Sequence, residues 1–146
     1  MSLDVDTVLV PVDGGQESVN ATEYAVAVAE KYDATLHALF VAGEQVSRRV
    51  ESGEVSEDAV ADRSEAFAED LRAVADDRVP LDVSIALGFS TTRKMTHPGS
   101  VILDAADDLD ADFLVVPREA GEDSSAVLEK AAEYVLLYAS QPVLSV

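Results

Sequence analysis

The sequence contains no cysteine and no tryptophan, and only ten of its 146 residues are lysine or arginine. The missing cysteine excludes disulfides, thiolate metal sites and catalysis by a thiol. The apolar runs are of strand length, far short of the about 20 residues that a membrane-spanning helix needs. Residues 1–6 include Asp4 and Asp6 and no apolar run, so no signal peptide is visible. We therefore expect a cytoplasmic protein.

Acidic residues dominate the charge. The chain has 29 aspartates and glutamates against ten lysines and arginines, a formal net charge of −19. Such a chain repels nucleic-acid backbones and anionic membranes, because binding to them needs basic side chains that displace counterions. The acids are interspersed with apolar residues, as in AFAEDL at 66–71, rather than gathered in a tail. This pattern is typical of a globular protein adapted to high salt, where charges are screened within about 3 Å at 1 M.

Short apolar, β-branched segments alternate along the chain with stretches of helical periodicity. Strands are predicted at 7–12, 35–41, 81–87, 112–116 and 143–146. Helices are predicted at 17–31, from 57 after the capping residue Ser56, from Pro98, and at 125–138. The alternation predicts right-handed crossovers and a doubly wound, five-stranded parallel sheet with helices on both faces, in one α/β domain spanning 1–146.

All four predicted helices carry apolar stripes that we expect to face the core. The stripe of the second helix consists of Val60, Phe67, Leu71 and Val74, and that of the fourth consists of Leu128, Ala131, Ala132 and Val135. The stripe of the first helix consists of Ala21, Tyr24, Ala25, Val28 and Tyr32. The stripe of the third consists of Val101, Ile102, Ala105 and Leu109.

In a doubly wound sheet, ligands bind beyond the carboxyl ends of the strands, where the strand order reverses. The candidate site therefore lies around Asp13, after Val41, at Gly88 and after Val116. Asp13 also fits a second interpretation, that of a turn residue preceding a helix.

Five segments together resemble the universal stress protein family. They are VLVPVDG at 8–14, ATL at 34–36, DADFLVV at 110–116, AEYVL at 132–136 and PVL at 142–144. Their order and spacing cover nearly the whole chain. The resemblance implies a Rossmann-like fold of the adenine nucleotide alpha hydrolase type, and the acidity points to a haloarchaeal member.

The resemblance also implies a nucleotide site. In ATP-binding members, an aspartate after strand one and a residue ending strand two hold the adenosine. A motif Gly-x2-Gly-x9-Gly-Ser then holds the phosphates through backbone amides. By this resemblance Asp13 and Val41 occupy the adenosine positions. Pro11, Val12, Gly88 and Val116 lie at the same edge.

The phosphate motif itself is degenerate. Pro117 and Ala120 stand where the first two glycines belong, and Glu129 and Lys130 fall near the final Gly-Ser. Proline lacks an amide donor, and a glutamate repels a triphosphate, so we expect ATP binding to be weakened or lost. A shorter anion loop built from Gly121, Ser124 and Ser125 would support the alternative, an ATP-binding regulatory switch with slow or no hydrolysis.

Four basic groups are expected at the same edge of the sheet: Arg93, Lys94, His97 and Arg118. One hypothesis is that they form an anion-binding patch that replaces the glycine loop. The other is that they pair with neighbouring acids at the surface.

No catalytic constellation or metal site is visible in the sequence. His37 lies within a strand without a second histidine at ligand spacing. Glycine motifs for dinucleotides and a P-loop are missing, and the acidic pair and lysine of a phosphoryl-accepting receiver domain are missing as well. We expect a non-catalytic stress-response module that acts through dimerisation and contact with a protein partner. The resemblance implies that the last strand, Val143, Leu144, Ser145 and Val146, pairs with its twin.

Overall fold

The computed structural model describes residues 4–41, 49–86, 98–117 and 127–146. Five strands alternate in them with four long helices. The strands are β1 (Thr7–Val12), β2 (Thr35–Val41), β3 (Leu81–Ala86), β4 (Phe113–Val116) and β5 (Val143–Ser145). The helices are α1 (Gln16–Tyr32), α2 (Glu57–Ala75), α3 (Pro98–Asp108) and α4 (Val127–Tyr138).

The five strands form one parallel sheet in the order β3-β2-β1-β4-β5. One core layer packs α1 and α2 against Val8, Val10 and Val12 of β1 and the alternate residues of β2. The other core layer packs α3 and α4 against Leu9, Leu39 and Leu114. The predicted doubly wound sheet with helices on both faces is therefore confirmed.

Local signals explain where the helices begin. The hydroxyl of Ser56 accepts a hydrogen bond of 3.0 Å from the backbone N–H of Ala59, as predicted for the cap of α2. Pro98 opens α3, where its missing N–H costs no helical hydrogen bond. Among the described residues, no helix combines the length and the apolar character that crossing a membrane requires.

Two core predictions for α1 are wrong, because Tyr24 is 56% exposed and Tyr32 is 39% exposed. The buried face of α1 is formed by Ser18, Ala21, Thr22, Ala25, Val26 and Ala29. These residues are all small, so the helix lies close to the sheet, and the two large rings remain at the border of the contact.

The prediction that Leu109 is a core residue is also wrong. Leu109 is 36% exposed and follows the end of α3, where Asp110 has a left-handed φ of 53°. Leu109 still donates its backbone N–H to the carbonyl of Ala105 at 3.0 Å, but the chain turns away at the next residue, so the helix adds no further turn beside this side chain. Ala106, which is fully buried, fills that position in the core.

Candidate functional site

The strand order reverses between β1 and β4, because β2 and β3 lie on one side of β1 while β4 and β5 lie on the other. This switch point is where a doubly wound sheet opens a crevice at its carboxyl edge. Val12, Val41 and Val116 end three neighbouring strands at that edge. The structure therefore brings Asp13, Val41 and Pro117 to one side of the sheet, as the sequence predicted.

Pro11 explains why the hydrogen-bonded ladder between β1 and β4 stops at this point. Thr7 accepts a hydrogen bond from Asp112, so alternate residues of β1 direct their backbone groups toward β4. The β1–β4 pairing runs from Val8 and Phe113 to Leu9 and Leu114 and then stops. The next N–H that β1 would direct toward β4 is that of residue 11, and proline has none. A proline inside a central strand, usually excluded, here ends the ladder at the switch point.

Asp13 is held by the first turn of α1. Its Oδ1 accepts hydrogen bonds from the backbone N–H of Gly15 (2.9 Å) and from the hydroxyl of Ser18 (2.8 Å). Its own backbone N–H donates to the Ser18 hydroxyl at 2.9 Å. These bonds confirm the interpretation of Asp13 as a turn residue. Both of the bonds that the carboxylate accepts fall on Oδ1, so Oδ2 has no hydrogen-bond partner within the described residues.

Gly14 shapes the turn between Asp13 and α1. Its φ of +92° lies in the left-handed region, where side chains are strained. The turn passes over the ring of Phe40, since a Cβ at Gly14 would lie 3.7 Å from the Phe40 Cε2 atom. Phe40 in turn packs edge-on against Phe67, with ring centroids 6.2 Å apart. The floor below this turn is therefore apolar and rigid.

Most predicted site residues in the described part are buried, which limits what they offer a ligand. Those that are buried are Pro11, Val12, Val41, Val116 and Pro117. Buried apolar side chains at the ends of strands provide backbone groups and shape rather than charge. Asp13, which is half-buried, is the one predicted site residue whose charged side chain the structure describes.

The remaining predicted residues lie mostly outside the described ranges. These are Gly88, Arg93, Lys94, His97, Arg118, Ala120, Gly121, Ser124 and Ser125. Lys130 lies in the first turns of α4. The anion patch and the shorter anion loop therefore stay predictions.

The described residues offer no metal centre. No group of three or more histidine, aspartate or glutamate side chains among them is arranged to hold a metal ion. His37 Nε2 lies 2.7 Å from the Ser84 hydroxyl, which confirms that this histidine is hydrogen-bonded within the sheet. Two open grooves in this part of the chain lie away from the carboxyl edge. One runs between α1 and α2 beside Glu23 and Arg78, and the other is beside Asp110 and Gln141.

β5 forms one edge of the sheet, and all of its predicted dimer residues are half-buried. Leu114 donates to the carbonyl of Pro142, and Val146 donates to the carbonyl of Val116. Because backbone groups alternate along a strand, Val143 and Ser145 direct theirs outward from the edge. The Oγ of Ser145 is buried without a hydrogen-bond partner among the described residues.

Sequence reasoning missed the role of Ser18, which the structure places in contact with Asp13. The available signal was a serine in the first turn of a helix, five residues after the aspartate. Sequence reasoning also included Pro11 in the site without giving it a role. The position of this proline in the middle of a predicted central strand was the signal that the strand pairing ends there.

The family model of the universal stress proteins matches residues 5–146. A universal stress protein solved in complex with cAMP is 21% identical, with 99% of this chain and 98% of that chain covered and a TM-score of 0.70. A universal stress protein from Archaeoglobus fulgidus in complex with dAMP is 14% identical, with coverage of 99% and 98% and a TM-score of 0.64. UspA from Lactobacillus plantarum is 19% identical, with 99% of each chain covered and a TM-score of 0.61.

At these identities the solved structures establish the fold alone. No curated protein sequence is significantly similar to the chain. The family model, by contrast, spans nearly every residue. The chain therefore belongs to the universal stress protein family.

Proposed function

We propose that this protein is a non-catalytic stress-response module that acts as a homodimer and through contact with a protein partner, and that its binding of ATP is weakened or lost. Family membership supports the stress-response role. The carboxyl edge of the sheet supports the weakened binding of ATP, and the open edge of β5 supports the homodimer.

The single observation that supports weakened ATP binding best is Pro117. It directly follows β4, is buried, and has no amide N–H. Triphosphates at this type of edge are held largely by successive backbone amides, so losing the first donor after β4 removes one of the groups that bind charge. With a net charge of −19, the chain adds a repulsive field for a polyanion.

A second candidate, a nucleotide-binding regulatory switch, is favoured by a different observation. The pairing of β1 with β4 ends before Pro11, and at the same edge Oδ2 of Asp13 has no hydrogen-bond partner among the described residues. Two of the similar structures were solved with cAMP and with dAMP, each of which carries one phosphate. A nucleoside monophosphate needs fewer backbone donors than ATP, so it would tolerate the loss of the glycine motif better.

Calorimetric titration at molar salt distinguishes these functions. We expect no heat of binding for Mg–ATP up to millimolar concentration with the natural chain. The double variant Pro117→Gly/Ala120→Gly restores two backbone positions of the motif, and we expect it to gain affinity for ATP. Pro80→Gly, before β3, is the matched control for the loss of a proline and should gain none.

Micromolar binding of ATP by the natural chain would overturn the proposal and make the switch the better description. Binding of AMP or cAMP without ATP would support a site reduced to a monophosphate. In that case, Asp13→Asn is the first variant to titrate, because it keeps the size of the side chain while removing its charge.

The dimer part of the proposal rests on the open edge of β5. Val143 and Ser145 direct unpaired backbone groups outward, and Leu136 on α4 is 51% exposed. Ser145→Pro deletes one outward N–H and leaves the hydrogen bonds to β4 in place, because those involve the alternate residues. We expect it to shift the chain to monomer in sedimentation equilibrium, whereas Ser145→Ala keeps the N–H and should stay dimeric.

A further inference from the structure

An exposed apolar patch lies at the C-terminal end of α4. Leu136, Leu137 and Tyr138 are 51%, 75% and 65% exposed, although all three side chains are large and mainly apolar. Single apolar side chains are normal at a protein surface, whereas a contiguous group of them marks an interaction site. The three neighbouring side chains therefore indicate that another surface covers this end of α4.

Leu136 lies on the flank of α4 that faces away from α3. Tyr134 marks the flank toward α3, because a Cβ added at Gly99, in the first turn of α3, would collide with the Tyr134 side chain. Val135 is fully buried and packs in the core layer below the helix. Each residue of a helix is rotated by about 100° from the one before it, so Leu136 lies on the side of Val135 opposite to Tyr134. Leu137, rotated by the same angle again, points outward into solvent.

That flank faces the open edge of the sheet. α4 connects β4 to its neighbour β5, so it lies over this pair of strands. α3 connects β3 to β4 and passes over the more central strands, on the inner side of α4. Val143 of β5 is half-buried and packs against the same core layer as α4. Leu136 and Val143 therefore border the edge together, on the same face of the sheet.

Two copies joined at β5 would bring their α4 helices close together. A two-fold axis relates antiparallel β5 strands, so one sheet continues through both copies and both α4 helices lie on the same face of it. Strands lie about 4.8 Å apart, so helices that cover the β4–β5 pair in each copy would have their axes about 10–15 Å apart. Directly packed helices are separated by about 8–10 Å, and a leucine on each facing flank fills the remaining space.

We propose that the facing flanks of α4, centred on Leu136, form a second layer of the homodimer contact above the joined β5 strands. This inference rests on the proposed β5 dimer and adds a helix contact to it. The occupant is a second copy of this chain, because the flank is continuous with the open β5 edge. A copy joined at that edge places an equivalent apolar flank opposite the first one.

Sedimentation equilibrium of the full chain at molar salt compares two neighbouring leucines. Leu136→Glu should weaken dimerisation at least about tenfold, because a two-fold contact buries the introduced charge twice. Leu137→Glu places the same side chain one residue further on, at a more exposed position that points away from the contact. It should change the dissociation constant less than about threefold. Circular dichroism checks that each variant folds, and Leu136→Ala replaces Leu136→Glu if the latter does not.

Cross-linking gives a second measurement, because the natural chain contains no cysteine. Leu136→Cys introduces a single thiol into each copy, close to the proposed axis. With a short bismaleimide, we expect it to form covalent dimers at least about threefold faster than Leu137→Cys does. Adding Ser145→Pro to Leu136→Cys should abolish the cross-link, because the helix contact depends on the joined strands.

The outcomes separate the two proposals. A natural chain that stays monomeric at all concentrations overturns the β5 dimer and the helix contact together. A dimer that Ser145→Pro dissociates, but that Leu136→Glu weakens no more than Leu137→Glu does, overturns the helix contact alone. A larger effect of Leu137→Glu than of Leu136→Glu also overturns it, since the outward side of α4 would then be the covered one. A dimer weakened selectively at Leu136, with cross-linking lost in Ser145→Pro, supports the contact as described.

Discussion

The hydrogen bonds between Asp13 and Ser18 join the end of β1 to the first turn of α1. Ser18 is fully buried and Asp13 is half-buried, so Ser18→Ala would leave the N–H of Asp13 without its acceptor and the Asp13 carboxylate with one donor fewer. We expect a loss of about 1–3 kcal/mol in the free energy of unfolding, measured by denaturant titration at molar salt.

Thr22→Val is the matched control for that substitution. Thr22 is equally buried, but its hydroxyl donates only to the backbone carbonyl of Ser18, a group of the helix itself. Removing it should cost about 1 kcal/mol or less. Equal losses for both variants would contradict a special role of Ser18.

His37 gives the protein a predictable response to acid. Burial lowers the pKa of His37 below its ordinary value of 6.5, and the nearby charge of Asp82 opposes this shift in part. The unfolded chain therefore binds a proton at higher pH than the folded chain does. The stability contributed by neutral His37 is complete above pH 6.5 and falls as the pH drops through the folded pKa.

His37→Gln should flatten the decline of the melting temperature as the pH falls below 6.5. His97→Gln alters the other histidine of the chain and serves as the control. If the slope persists in His37→Gln and disappears in His97→Gln, the assignment to His37 is wrong.

At the scale of the elements, aspartate ends several helices where glycine is usual. Asp33 caps α1 with φ 54° and Asp76 caps α2 with φ 46°, and all four described non-glycine residues with positive φ are aspartates. A left-handed aspartate is strained by its Cβ, and its charge opposes the helix dipole at a C-terminus. High salt reduces the second of these penalties.

Asp76→Gly should therefore stabilise the protein by about 0.5–1.5 kcal/mol, and by more at low salt than at high salt. The same change inside α2, Asp70→Gly, should instead cost a few tenths of a kcal/mol, because glycine is the poorer helix former. Thermal unfolding of the two variants side by side measures the difference. A destabilising effect at both positions would contradict the account of the cap.

The elements themselves could be predicted from sequence, since the apolar runs and the caps at Ser56 and Pro98 are local signals. The sequence could not predict which residues at the edge of the contact between a helix and the sheet are buried. Whether Tyr24 is buried depends on how closely α1 lies against the sheet, and neighbouring alanines decide that. Leu109 was missed for a related reason, because an aspartate at positive φ ends the spiral without the glycine that normally marks such an end.

At the scale of the whole molecule, we expect the net charge to lower stability when little salt is present. The folded chain has a net charge of −19, so its acidic side chains repel one another. Added salt shortens the range of this repulsion. We expect the melting temperature to rise steadily from 0.2 M to 3 M KCl. The double variant Asp62→Lys/Asp70→Lys, at exposed positions of α2, should raise the melting temperature mainly at the low-salt end.

An equal rise for the double variant at both salt concentrations would point to helix propensity instead of charge. Asp62→Asn/Asp70→Asn gives the intermediate point, because it removes half of the charge difference. We expect its melting temperature at low salt to lie between those of the natural chain and the lysine variant.

The position of the candidate site followed from topology, which the sequence pattern specifies. The chemistry of the site was harder to predict from the sequence, because the groups that a ligand would contact are backbone amides and carbonyls at the ends of strands. Val41 and Val116 have side chains that point into the core, so their residue types reveal nothing about a ligand. Pro117 is the exception, since proline changes the backbone itself.

Pro11 has a consequence for how such a protein diversifies. Because the donor that β1 lacks ends its pairing with β4, the end of this ladder is a property of the strand itself and does not depend on the segments that follow the strands. Those segments are then free to exchange one ligand for another, or to lose the ligand, without a penalty to the sheet. Replacing only the segments that follow the strands, while the sheet stays the same, is therefore a route to a new ligand specificity.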